Sequence, residues 1–181
     1  MPSISIESNG RLEKTAVYFN GEQLGGVKEI FLNLDETGVF DAIIQYEGVD
    51  KKIYTKQIFS EYLENLKVVE PSFTEDEAEE LQLLTFNSSG DIDNTTVSYN
   101  EELLEGIVSV FIHIKSAQNN NGIRSLFSMK KHIPEHVEFR AEATFRNEDE
   151  SMETEELFWF FLAIIIYFIF FNIKFDNEIF Y

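Results

Sequence analysis

Val17-Tyr-Phe-Asn-Gly-Glu-Gln-Leu-Gly-Gly-Val-Lys-Glu-Ile-Phe-Leu-Asn-Leu34 aligns without a gap on Val97-Ser-Tyr-Asn-Glu-Glu-Leu-Leu-Glu-Gly-Ile-Val-Ser-Val-Phe-Ile-His-Ile114, 80 residues further along. Six pairs are identical: Val17/Val97, Asn20/Asn100, Glu22/Glu102, Leu24/Leu104, Gly26/Gly106 and Phe31/Phe111. Five of the other twelve exchange one apolar residue for another, among them Phe19/Tyr99, Val27/Ile107, Ile30/Val110 and Leu32/Ile112. A second stretch recurs at an offset of 99, Phe40-Asp-Ala-Ile-Ile-Gln-Tyr46 against Phe139-Arg-Ala-Glu-Ala-Thr-Phe145, so the second copy carries 19 extra residues between its strands. A unit that cannot bury its own face packs against its copy, often about a pseudo-two-fold axis.

Within each unit the apolar period is two. Ile30, Leu32 and Leu34 share one strand face, as do Val110, Ile112 and Ile114; later Val137, Phe139, Ala141, Ala143 and Phe145 alternate with polar residues. One covered face and one wet face is the pattern of an antiparallel sheet. Asn20-Gly21 is a hairpin turn, because both residues tolerate positive φ. Asn100-Glu101 lacks the glycine, and a turn of another type is expected there. Gly26 and Gly106 mark a bulge before the long strand. Two short helices are expected between the copies: Phe59–Leu66, and one opened by the capping box Thr74-Glu-Asp-Glu77 and carrying Ala78, Leu81, Leu84 and Phe86. The fold class is therefore mainly β (α+β), with antiparallel sheets from two related repeats (17–46 and 97–145) and one or two short connecting helices.

Outside this duplicated domain, 1–146, the composition shifts twice. Six of the ten residues from Asn147 to Glu156 are acidic, which reads as a solvated linker. Residues 157–173 then run almost without a polar break, 17 residues at the short edge of the roughly 17–25 of a helical span. A buried strand or a read-through end are the alternatives. The start, Met-Pro-Ser-Ile-Ser-Ile-Glu-Ser8, has no basic, apolar leader pattern. The expectation is a C-terminal hydrophobic helix acting as a single-pass membrane anchor, followed by a short tail at 174–181, with the N-terminal domain cytoplasmic.

Charge narrows the function. Thirty-three acids against 14 bases give −19, which opposes sequence-independent binding to nucleic acid. The chain holds no cysteine, which removes thiolate metal sites and thiol nucleophiles. Residues 106–134 run against the trend, with four bases and no acid. They contain most of the inserted stretch, in which Arg124, Phe127, Lys130 and Lys131 are the candidate binding residues. An apolar, cationic excursion on a repeated scaffold is where binding tends to sit.

Two motifs suggest metals and fail on their own terms. His132-Ile-Pro-Glu-His136 has the spacing of a zinc-protease helix, but Pro134 would break that helix. Asp91–Glu102 resembles a calcium loop, yet Thr96 stands where glycine is needed. No metal, cofactor or catalytic residue is expected. The function implied is a non-catalytic, membrane-tethered interaction module with a protein partner. The alternatives are an acidic nucleic-acid mimic that inhibits a basic partner, and a phage-like assembly protein.

Overall fold

Strands with one apolar face need that face covered, and two sheets stacked face to face cover each other. The computed structural model describes residues 1–115 and 138–158. In chain order the strands are β1 (Ser3–Ser8), β2 (Thr15–Phe19), β3 (Glu22–Gly25), β4 (Val27–Asp35), β5 (Phe40–Glu47), β6 (Ile53–Gln57), β7 (Lys67–Val68), β8 (Gln82–Asn87), β9 (Thr96–Tyr99), β10 (Glu102–Leu103), β11 (Ile107–Lys115), β12 (Glu138–Arg146) and β13 (Met152–Glu156). One sheet has the order β10-β9-β8-β1-β2-β3-β7 and the other β13-β12-β11-β4-β5-β6. Every neighbouring pair is antiparallel. The protein is thus mainly β, and its α-helix among the described residues is the single turn α1 (Glu75–Ala78). Ile4, Ile6, Leu84 and Phe86 from the first sheet and Ile30, Leu32, Ile44, Val110 and Ile112 from the second belong to one buried core.

Both sheets are centred on a pairing between the two halves of the chain. β1 pairs with β8 so that Ser5 faces Thr85, and their hydroxyls meet at 2.9 Å. β4 pairs with β11 so that Leu32 faces Ile112. Both pairs are 80 residues apart, so one approximate two-fold axis runs through the middle of both sheets. The strand orders read alike from either end, except that β7 extends the first half and has no counterpart among the described residues.

The local chemistry repeats with the strands. Gly10 N–H donates to Ser8 Oγ at 3.1 Å, Ser8 and Thr15 hydroxyls lie 2.8 Å apart, and Thr15 donates to the Arg11 carbonyl at 2.6 Å. Eighty residues on, Gly90, Ser88, Thr95 and Asp91 make the same contacts at 3.0, 2.7 and 2.7 Å. Each hydroxyl carries one hydrogen. The threonine spends its hydrogen on the carbonyl, so the serine must donate to the threonine, and each chain has a single direction.

Several sequence expectations are corrected. Residues 59–66 form turns rather than a helix. Their apolar spacing serves a crossing loop instead, in which Phe59 and Leu63 are buried and Tyr46 Oη donates to the Glu64 carbonyl at 2.7 Å. The capping box at Thr74–Glu77 is present, but its helix stops at Ala78. Leu84 and Phe86 point inward from β8, where pairing with β1 satisfies the backbone that a helix would otherwise bond. Asn100-Glu101 makes the same kind of turn as Asn20-Gly21, with φ of 49° and 69° against 51° and 83°. The Asn100 side chain holds it in place by accepting from Leu83 N–H at 2.8 Å, as Asn20 does from Ser3.

The acidic stretch is not a linker. Residues 147–151 turn the chain, and Met152–Glu156 is the edge strand β13, paired along β12. All five residues of β13 are exposed, so its acids stay in water while its backbone completes the sheet. Nor does a helix begin at Leu157. Leu157 and Phe158 are buried in the sandwich core, Phe158 has φ +65°, and its N–H donates to Tyr99 Oη at 2.9 Å. The remainder of the expected span, 159–173, lies outside the described residues. No helix among the described residues is long and apolar enough to cross a membrane.

Candidate functional site

The wet face of the six-stranded sheet carries aromatic side chains at its centre. Alternation along β4, β5, β11 and β12 sends Phe31, Ile43, Phe111, His113 and Arg140 outward while their neighbours enter the core. Phe31 and Phe111 occupy equivalent positions in the two halves and meet across the axis, ring centroids 5.7 Å apart and edge to face. His113 meets Phe31 edge-on at 5.8 Å. The Arg140 guanidinium lies 4.7 Å above the Phe111 ring and makes two 2.8 Å bonds to the Glu142 carboxylate. Aromatic residues that pair here contribute about 0.5–1.5 kcal/mol each beyond their burial, yet Phe31, Ile43 and Phe111 remain only partly buried.

Charge frames this patch. His113 Nε2 lies 2.7 Å from Glu29 Oε1, and Lys115 Nζ lies 3.4 Å from the other carboxylate oxygen. An ionised carboxylate only accepts, so Nε2 carries the hydrogen. That hydrogen bond above all, with Lys115 in support, holds the Glu29 carboxyl below the usual range. Arg140 does the same for Glu142. The cations and anions of the face are thereby mutually engaged, while the rings between them stay open to contact.

Arg124, Phe127, Lys130 and Lys131 lie outside the described residues, as do His132 and His136. The segment that holds them joins the end of β11 to the start of β12, so it leaves and rejoins the sheet beside the Glu29–His113–Lys115 cluster. His113 lies against Phe31 and Glu29, a cross-strand relation that needs the β4–β11 register to be seen. Asp91 caps the short turn at Ile92–Asn94 by accepting from Asp93 N–H at 3.1 Å. Among the described residues no group of three or more acidic or histidine side chains is placed to hold a metal.

A second feature lies where the sheets part at one end. Leu34, Ile92, Val97, Leu104, Ile107 and Val110 line a cleft of about 450 Å³, with Asp35, Glu36 and Asp93 at its rim. The equivalent place in the first half, lined by Leu12, Val17, Val27, Ile30 and Ile114, holds about 140 Å³. The halves differ at the edge. β7 pairs with β3 and Gln23 is 7% exposed, whereas its counterpart Leu103 on β10 is 59% exposed. Comparison of the chain with protein-family models, curated proteins and solved structures finds no match.

Proposed function

We propose that this protein is a non-catalytic interaction module, built from two related β-repeats, that binds a protein partner through the outer face of its six-stranded sheet. The observation that carries the reading is the partly exposed cluster of Phe31, Ile43 and Phe111, which interrupts an otherwise polar and charged surface. Aromatic residues ringed by engaged charges are typical of contact centres, since they release water from a large rigid surface at little cost in side-chain entropy. The connection that carries Arg124, Phe127, Lys130 and Lys131 starts at Lys115 and ends at Glu138, beside Glu29 on this face, and we assign its cationic and apolar residues to the same contact. The partner it suits presents an apolar centre with acidic groups nearby.

Proximity cross-linking in cells, compared between the wild-type chain, a Phe31→Ser/Phe111→Ser variant and a Lys130→Glu/Lys131→Glu variant, tests this. A partner captured by the wild-type chain should fall by about tenfold or more in both variants, the loss given by about 1.4 kcal/mol of binding. The variants should keep their cooperative unfolding. Unchanged capture of every wild-type partner by folded variants would refute the proposal.

A further inference from the structure

We propose that the apolar stretch following Phe158 folds back on its own chain, completing the second half of the sandwich as residues 60–69 complete the first. The two halves are in step up to the point where the described chain ends. Ile58 N–H donates to the Ala42 carbonyl at 2.7 Å, and Leu157 N–H donates to the Ala141 carbonyl at 2.8 Å, 99 residues later. Phe59 and Phe158 are each buried in the core directly after this bond.

From Phe59 the first half crosses the side of the sandwich, buries Leu63, and lays Lys67–Val68 against β3, with Val68 opposite Leu24. The same offset of 99 puts Leu162 on Leu63, Ile165 on Leu66, and Ile166-Tyr167 on Lys67-Val68. The acceptor side is ready for it. Among the described residues β10 has a neighbour on one side only, Leu103 is 59% exposed, and the adjoining cleft is about three times the volume of its counterpart. An edge strand with exposed leucine is a template for another strand. A segment rich in Phe, Ile, Leu and Tyr that begins inside the same core is tethered next to it. Burial there removes apolar surface that would otherwise stay in water.

The chain has no cysteine, so an introduced pair reports cleanly. Full-length Leu104→Cys/Tyr167→Cys is oxidised in the expressing cells and compared with Leu24→Cys/Val68→Cys, which brackets the observed β3–β7 pair and sets the benchmark for a folded chain. Paired strands place such residues within disulfide reach. The expected result is an intramolecular disulfide between positions 104 and 167 in yield comparable to the benchmark. The yield should be the same when the purified protein is reduced, mixed with phosphatidylcholine vesicles and oxidised again in their presence. A benchmark bond without the 104–167 bond would overturn the proposal. So would a 104–167 bond that joins two chains, or one that no longer re-forms when the reduced protein floats with the vesicles, the last being the mark of a membrane anchor. A Trp159 emission unchanged by unfolding would also count against it, since Trp159 is the single tryptophan and directly follows Phe158.

Discussion

Replacing Ser8 or Ser88 with alanine removes the middle of a directed hydrogen-bond chain. Both serines are fully buried. In Ser8→Ala, Gly10 N–H loses its acceptor at 3.1 Å and the Thr15 oxygen loses its donor at 2.8 Å, while Thr15 keeps its bond to the Arg11 carbonyl. Two lost bonds, one leaving a half-buried N–H unsatisfied, cost about 1–3 kcal/mol. In a chain of this size each kcal/mol lowers the melting temperature by about 2–4 °C. A loss near 1.5 kcal/mol is thus expected to appear as about 3–6 °C. Ser88→Ala removes the same contacts around Gly90 and Thr95 and should cost about the same. Ser88 lies opposite Pro2 at the far end of the β1–β8 pair. At about 3.4 Å per residue that is roughly 20 Å from Ser8. Sites so far apart should add within about 0.5 kcal/mol, giving about 6–12 °C for the double variant. Denaturant and thermal unfolding of the three variants measure this. A single variant costing under about 0.5 kcal/mol, the scale of an ordinary surface change, would show that the hydroxyl chain is not formed as described.

Three further outcomes follow from the geometry. Leu32→Ala and Ile112→Ala, made at paired positions on the axis, should each cost about 2–5 kcal/mol. As direct neighbours they should show non-additivity of about 0.5–3 kcal/mol in a double-mutant cycle read by urea unfolding. Glu101→Gly should stabilise by about 0.5–1 kcal/mol, since Glu101 holds φ of 69° at the second hairpin turn where the first has glycine; a loss of stability would contradict the turn assignment. Glu29, whose carboxyl titrates lower in the fold than in the unfolded chain because of His113 and Lys115, gives stability that is complete above the unfolded value and is lost as pH falls through the folded one. Glu29→Gln should therefore flatten the acid limb of the stability profile below about pH 4.3, the ordinary glutamate value.

The long central strands were legible because they are half-buried. Ile30, Leu32 and Leu34, and Val110, Ile112 and Ile114, alternate with polar neighbours, and period two has one structural meaning over that length. The strand Ser3–Ser8 was missed although Ile4 and Ile6 alternate, because two apolar residues are too few to mark a strand. Leu81, Leu84 and Phe86 fit helical spacing after a genuine capping box, and only the partner strand 80 residues away decides for β8. The acidic stretch misled for a different reason. An edge strand with every residue exposed has the composition of a solvated linker, and its backbone pairing leaves no trace in side-chain pattern. The face formed by Phe31 and Phe111 depends on strand register, and the repeat alignment hinted at it by matching the two phenylalanines to each other.

The β1–β8 and β4–β11 pairings have a consequence for how the chain is made. While only the first half has left the ribosome, β1 and β4 each present a bare inner edge and an uncovered apolar face. These wait for partners some 80 residues downstream. Contacts so distant in sequence slow folding, because loop closure must precede any gain from packing. During that interval two nascent first halves on neighbouring ribosomes offer each other the same pair of edges that the second half later supplies. A symmetric dimer of first halves is then the characteristic competitor of the pairing within one chain. Crowded polysomes and slow elongation through residues 60–80 would favour it.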